Sequence, residues 1–442
     1  MIYPKKKIRE IAKLRGGKRL PLGTSLVTET TAHPYIRGRD IRNGRITFED
    51  PVYVTDKVFP KIKSYTVNTG DVCVTIVGNI GDVGIVPTPL SGANLTENAV
   101  KLASLVPDCD PLYLMYALLT PGCQSQMKRF AAGAAQPKLG LYKVEEIEVP
   151  LPTLLTQRKI AAILSAYDDL IENNTRRIKI LEQMAQAIYR EWFVEFRAPG
   201  VELRKATLEE QRVTGKDAFP KKWEVKSVGE LLELHIGGGW GEETENDQFS
   251  VRARVIRGTD IPDAKYGNVE KCPLRFHKPS NYSSRRLIPG DIVFEVSGGS
   301  KGQPVGRSLL VSSKLLGMLG GDAICASFCR LLRSNVKSIV PELLFLHFQC
   351  IYSDGRIDRY QVQSTGIINF KFEHFLQNEM VVTPDIESQS QFIEMIRSML
   401  DLINTLNVKN ASLRRTRDLL LPKLISGEVG VEKLDIETKG GL

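Results

Sequence analysis

Residues 150–200 read PLPTLLTQRKIAAILSAYDDLIENNTRRIKILEQMAQAIYREWFVEFRAPG. Within them Ile160, Leu164, Tyr167, Ile171, Asn174, Ile178, Leu181, Ala185, Ile188 and Trp192 are spaced by alternate steps of four and three. That is a heptad seam: positions recurring every 3.5 residues keep one stripe of a helix turned toward a partner helix. Moving 232 residues along the chain gives Phe392, Ile396, Met399, Ile403, Leu406, Asn410, Leu413, Arg417, Leu420 and Leu424, a second stripe with the same spacing. Neither stripe meets a proline before Pro422. Each predicts a helix of about 40 residues, roughly 60 Å long at 1.5 Å per residue. Two such seams in one chain most simply pack on each other.

The repetition is wider than the helices. YIRGRDI at 35–41 returns as VIRGTDI at 255–261, and Gly70-Asp71-Val72 as Gly290-Asp291-Ile292. IREIAKLRGG at 8–17 returns as VGELLELHIGG at 228–238, with Glu10/Glu230, Leu14/Leu234 and Gly17/Gly237 in register. Pro152 and Gln157 return as Pro384 and Gln389. Several matches in one order indicate a duplicated unit, each a mixed segment of about 150 residues followed by a helix; the period is far beyond that of a solenoid. RGRDI, GDVCVTIVG and EIEVPLP read as strands, and 112–120 and 342–352 as helices. The expected fold is α/β (α+β): two similar globular domains, at 1–151 and 223–382, separated by two long helices in an antiparallel coiled coil. The helices take 152–197 and 383–430, a polar linker 198–222, and a tail 431–442.

A pseudo-twofold axis exchanging the copies makes the helices antiparallel, so paired seam positions have a constant sum. A lone Asn in an apolar seam is costly unless its amide finds a partner. Setting Asn174 opposite Asn410 satisfies both and fixes the register. It also sets Tyr167 opposite Arg417, with the guanidinium against the ring.

Composition narrows the function. The 442 residues are 42% hydrophobic and 25% charged, which excludes a disordered chain. No apolar run approaches the ~18 residues of a membrane helix, and the start has no secretory apolar region. Seven scattered cysteines read as reduced thiols in a cytoplasm. Lys+Arg number 60 against 51 Asp+Glu, and the first 19 residues carry eight basic groups against Glu10 alone. A basic chain without a membrane-binding helix points first to nucleic acid.

Catalytic constellations do not emerge. Gly78-x-x-Gly81-x-x-Gly84 lacks dinucleotide spacing, SGGSKGQPVG (297–306) lacks the end of a P-loop, and Cys325 and Cys329 sit in an apolar CASFC run. There is no Asn/Asp-Pro-Pro-Tyr/Phe stretch. No cofactor and no metal is expected.

Residues 150–200, with FPKKWEVKSVGELLEL at 219–234 and the distal segment from TPDIESQSQFIEMI to LLLPKLISGEV (383–429), resemble the specificity (S) subunits of type I restriction–modification enzymes. The resemblance covers essentially the whole chain. It implies two target-recognition domains, each reading one half of a bipartite double-stranded DNA target, and a chain without an active site. It implies partnership with two modification (M) subunits, which carry adenine methyltransferase activity, and with restriction (R) subunits. The first unit departs in lacking the Pro-x-x-Trp entry found at 220–223.

Candidate DNA contacts in the first domain are Lys18, Arg19, Arg37, Arg39, Arg42 and Arg45, with Gln136 and Lys138 in the loop GAAQPKLG. In the second they are Arg252, Arg254, Arg257, Lys301, Arg307 and Lys371. Arg suits guanine and phosphate, and Gln suits adenine. Arg37 and Arg257 recur at the repeat offset and so equally suit a role in folding. Two rival readings are a standalone DNA-binding protein and a coiled-coil scaffold with no DNA role.

Overall fold

The computed structural model describes residues 3–132, 137–299, 304–364 and 367–438. Two long helices dominate: α1 at Leu154–Tyr189, closed by a π-helical turn at Arg190–Val194, and α2 at Ile386–Ser426, which carries Pro422 in its last turns. The chain divides into two units, one made of Met1–Asp169 with Arg414–Leu442, the other of Leu170–Leu413. Each unit therefore contains a stretch of both helices.

In the first unit a six-stranded sheet holds β1 (Lys13–Gly16), β2 (Ile41–Arg42), β3 (Gly44–Ile46), β4 (Val72–Thr75), β5 (Val83–Ile85) and β6 (Ala99–Ala103), in the order β1-β6-β4-β5-β3-β2. β4 is VCVT with every residue buried, which is why this run reads as strand without polar alternation. The helices Pro111–Leu119 and Pro121–Ala131 share its core, through Tyr113, Leu114 and Met127. Ile160 and Leu164 of α1 and Leu424 and Ile425 of α2 close the same core. Beside that layer Asp168 accepts from Tyr116 Oη at 2.5 Å and from Arg417 Nη1 at 2.5 Å. The Arg417 guanidinium thus binds the carboxylate next to Tyr167.

The second unit repeats the plan with β7 (Leu232–Gly237), β8 (Ile292–Glu295), β9 (Ser308–Leu310) and β10 (Cys329–Ser334), ordered β7-β10-β8-β9. Its core joins Phe294, Phe348 and Phe375 to Trp192, Phe193, Phe392 and Ile396 of the long helices. Trp192 and Phe193 lie 5.7 and 5.0 Å from Phe392, ring centre to ring centre. Within this unit Asn174 Nδ2 donates to Asn410 Oδ1 at 2.9 Å, and Asn410 is fully buried.

The duplication is visible bond by bond. Glu10 accepts from the Lys7 N–H as Glu230 does from Ser227. Asp71 and Asp291 accept from the N–H groups of Asn68 and Ile288, closing equivalent turns, and each meets a cation: Lys101 at 3.0 Å, Arg333 at 2.7 Å. Gln157 is buried at the head of α1, where its amide donates to the carbonyls of Asp108 and Pro152 and accepts from the Asp110 N–H. Gln389 makes the same three bonds, to Ser338, Pro384 and Val340.

Three details differ from the sequence reading. The partner of Gly17 is Gly238, not Gly237: Gly17 N–H donates to Ala99 O as Gly238 N–H does to Cys329 O, and a Cβ on either would lie within 2.3 Å of a carbonyl oxygen. A register irregularity between Leu232 and Leu234 supplies the extra residue. RGRDI is a 3-10 turn (Gly38–Asp40) entering β2, because Asp40 turns back to cap the Arg37 N–H. Residues 198–222, read as a plain linker, hold a two-stranded pair (Leu203–Lys205, Ala218–Pro220) around a short helix (Leu208–Thr214), and Phe219 is fully buried.

In the second unit a buried chain of bonds runs from Tyr189 Oη to His347 Nδ1 (3.2 Å) and from His347 Nε2 to Glu379 (2.9 Å), which also accepts from Tyr360 Oη (2.8 Å) and Arg359. Burial alone would raise the Glu379 carboxyl. The hydrogen bonds from His347, Tyr360 and Arg359 outweigh it and bring its pKa down to about 2. A depressed carboxylate stabilises the fold above its unfolded pKa and loses that contribution as pH falls through the folded one. Glu379→Gln is therefore expected to lower the urea midpoint at pH 7, with the gap to the parent closing between about pH 4.5 and 2. For the seam, Asn410→Leu leaves the Asn174 amide unpaired and should cost about 1–3 kcal/mol. The double substitution with Asn174→Leu should cost less than the sum of the single ones, as a double-mutant cycle by urea unfolding would register.

Candidate nucleic-acid interface

The Arg-Gly-x-Asp turns are built identically. Arg37 Nε and Nη2 donate to the Asp40 carboxylate at 3.0 and 2.9 Å; Arg257 does the same to Asp260 at 2.9 and 2.8 Å. Asp40 and Asp260 are buried. Arg254 donates to the Cys272 carbonyl, and Arg307 is bound by Glu295 through two nitrogens. These four guanidinium groups are engaged inside the fold.

Other candidates face solvent. Lys18, Arg39, Arg42, Lys138, Arg252 and Lys371 are exposed, Arg39 beside Asp50 and Lys18 with its ammonium 5.5 Å from the Tyr65 ring centre. Arg45 on β3 is half-buried. Lys371 caps the helix Phe372–Asn378, a place held in the first unit by Gly140: Val144 N–H donates to Gly140 O as Phe375 N–H does to Lys371 O. Gln136 and Lys301 lie outside the described residues.

In the first unit the turn opens onto a cleft of about 530 Å³, whose lining includes Arg19, Arg39, Thr75, Asn79, Glu97 and Asn98. Arg19 Nε donates to Glu97 at 2.9 Å. Burial works to raise the Glu97 carboxyl, but the Arg19 bond prevails and holds it below the ordinary range. The cleft combines cationic, amide and hydroxyl groups, the mixture that contacts phosphates and base edges. Asn79 and Asn98 were not singled out in sequence because nothing in their spacing distinguishes a cleft amide from a turn amide.

Residues 3–183 match the family model described as the type I restriction modification DNA specificity domain. Over this stretch the chain is similar to the specificity proteins of type I restriction–modification systems. The chain is 25% identical over 441 residues to the type I restriction enzyme MjaIX specificity subunit of Methanocaldococcus jannaschii, covering 97% of this chain and 94% of that one. It is 22% identical to the HindI specificity subunit of Haemophilus influenzae, over 72% and 77% of the two chains. A crystal structure of the type I restriction–modification S subunit from M. genitalium aligns over 96% of both chains, at 15% identity and a TM-score of 0.48.

If the exposed cations contact phosphates, removal of Arg39, Arg42 or Lys138 should each lower the slope of log affinity against log salt by about 0.9, in the assembled complex on duplex DNA. Arg37→Ala should act on folding instead, lowering stability by about 3 kcal/mol by leaving Asp40 buried without its partner.

Proposed function

We propose that the chain is the DNA-sequence specificity subunit of a type I restriction–modification complex. Each unit reads one half of a bipartite double-stranded target, and the subunit holds two modification subunits, adenine methyltransferases, and restriction subunits on that DNA. The observation that carries this reading is the duplicated anchoring of a target-reading unit to a long helix, through Gln157 in one copy and Gln389 in the other. A bipartite target asks for two reading units held at a set distance, and two paired helices resist bending because bending strains the whole seam.

In this role the subunit contributes recognition and supplies no catalytic group. Phosphate contacts by surface cations supply affinity, and groove contacts supply the sequence. The methyltransferase subunits dock on charged helix faces that carry Asp169, Glu172, Arg176, Arg177 and Lys179 on α1, and Lys409, Arg414, Arg415 and Asp418 on α2. Asp168, being held by Tyr116 and Arg417, is not part of that face. No helix among the described residues is long and apolar enough to cross a membrane, and the complex works in the cytoplasm, where the host DNA is.

Replacing residues 1–151 by the corresponding domain of another specificity subunit is expected to change one half of the methylated motif and leave the other half intact, read by methylome sequencing. Inserting one heptad into α1 and one into α2 should lengthen the spacer by about three base pairs, since seven residues add roughly 10.5 Å and each base pair 3.4 Å. A swap that altered both halves would overturn the reading.

A further inference from the structure

The hydrogen bonds that align the two units also locate, in the second, the positions that line the cleft of the first. Gly17 and Lys18 donate to the carbonyls of Ala99 and Leu95; Gly238 and Gly239 donate to those of Cys329 and Cys325. The residue after Lys18 is Arg19 and the residue after Gly239 is Trp240. Ile76 N–H donates to Asn98 O at 2.8 Å, and Val296 N–H to Phe328 O at 2.9 Å. Where the first unit has Arg19 and Asn98 in its cleft, the second has Trp240 and Phe328.

Both rings face solvent: Trp240 is 40% exposed and Phe328 64%. Among the described residues of this unit no other Phe, Tyr or Trp side chain is exposed. Their backbones are joined, because Gly238 and Gly239 grip both ends of the tight turn, closed by Cys329 N–H to Ala326 O, on which Phe328 sits. The Arg275 guanidinium lies 4.7 Å from the Trp240 ring centre, and Arg252 is exposed on the neighbouring strand Val251–Ile256. Arg275 is also paired with Glu243 at 2.6 Å, and the exposed loop after Trp240 carries Glu242, Glu245 and Asp247, so what this place offers a ligand is the two apolar ring faces, which suit the apolar groups of DNA bases.

We propose that Trp240 and Phe328 carry the base contacts of the second unit, as an aromatic pair in the places held by Arg19 and Asn98 in the first. This rests on the reading of the chain as a DNA-specificity subunit. The rings make apolar contact with bases, against thymine methyl groups in the major groove or as a wedge at a flexible step. The two units then read by different chemistry on one scaffold, the first by hydrogen bonds and charge, the second by apolar contact.

The test uses the full chain assembled with its modification subunits and competes the cognate duplex against duplexes altered in one half-site. Trp240→Ala with Phe328→Ala is expected to reduce discrimination at the second unit's half-site by about 5- to 150-fold, the range for loss of an aromatic contact to a base. Discrimination at the other half-site and the salt slope should stay unchanged, because no charge is removed. Trp240→Phe with Phe328→Tyr should retain most of it. Should the alanine variant lose its melting transition, Trp240→Arg with Phe328→Asn, which installs the residues of the first unit, is read in its place and should change the preferred bases. Discrimination retained with the complex intact overturns the proposal. So does discrimination retained with modification subunits lost, which would assign the rings to protein docking. A parent complex that discriminates no bipartite target brings down the specificity-subunit reading itself, a result distinguishable from either.

Discussion

One buried side chain in each half of the molecule ties a globular body to the long helix that leaves it. Gln157 and Gln389 stand at the first turn of a 36-residue and a 41-residue helix and spend both amide functions on the loop that precedes the covering helix. A carboxylate could not donate and an ammonium could not accept, so only an amide satisfies all three backbone groups without burying a charge. Because those groups are shielded from water, loss of the amide would leave them unmatched, which is more costly than the bonds themselves are stabilising. The direction of each long helix is thereby fixed to the body it leaves.

What is held constant in the two copies and what has drifted follow a simple division. The arginine–aspartate turn, the capped Gly-Asp turn and the glutamine anchor are kept atom for atom. The cation that neutralises the buried aspartate is kept only as a charge, arriving from Lys101 in one copy and from Arg333, two positions further along the equivalent strand, in the other. The floor beneath the arginine turn has changed outright: Thr75 hydrogen-bonds backbone carbonyls, whereas Glu295 at the matching place is locked to Arg307. Gly258 is obligatory above that carboxylate, since a Cβ there would meet Glu295 Oε1 at 2.3 Å, while Gly38 has ordinary clearance.

The long helices, their seam and the duplication were legible in sequence because a 3.5-residue period over many turns, and matches repeated in order, leave few alternatives. Local geometry was less so. RGRDI looks like a strand by composition; only the return of Asp40 onto Arg37 makes it a turn. The stretch 198–222 looks like a linker by its glycines, prolines and charges, yet Phe219 pulls it into the core. The candidate DNA contacts were the least legible part. Arginines were picked by charge, and charge does not distinguish Arg39, on the surface, from Arg307, spent on an internal carboxylate. In sequence, a one-residue bulge and lengthened loops hide the correspondence of Trp240 and Phe328 to Arg19 and Asn98.

Those lengthened loops form a record of their own. Equivalent residues are separated by 220 positions at the arginine turn, by 225 where Asp82 and Arg307 accept from the ends of β4 and β8, by 230 at β6 and β10, and by 232 at the glutamine anchors. The added length between those marks falls in connections, so β4 pairs with β6 in the same register as β8 with β10: Val72 with Leu102 and Val74 with Val100, Ile292 with Leu332 and Phe294 with Arg330. A duplicated gene can thus change the size of its surface loops in steps of any length while leaving its frame untouched. Apart from the single extra residue in β7, the second half of this molecule is a longer edition of the first whose additions lie in its connections, where a protein can evolve without refolding.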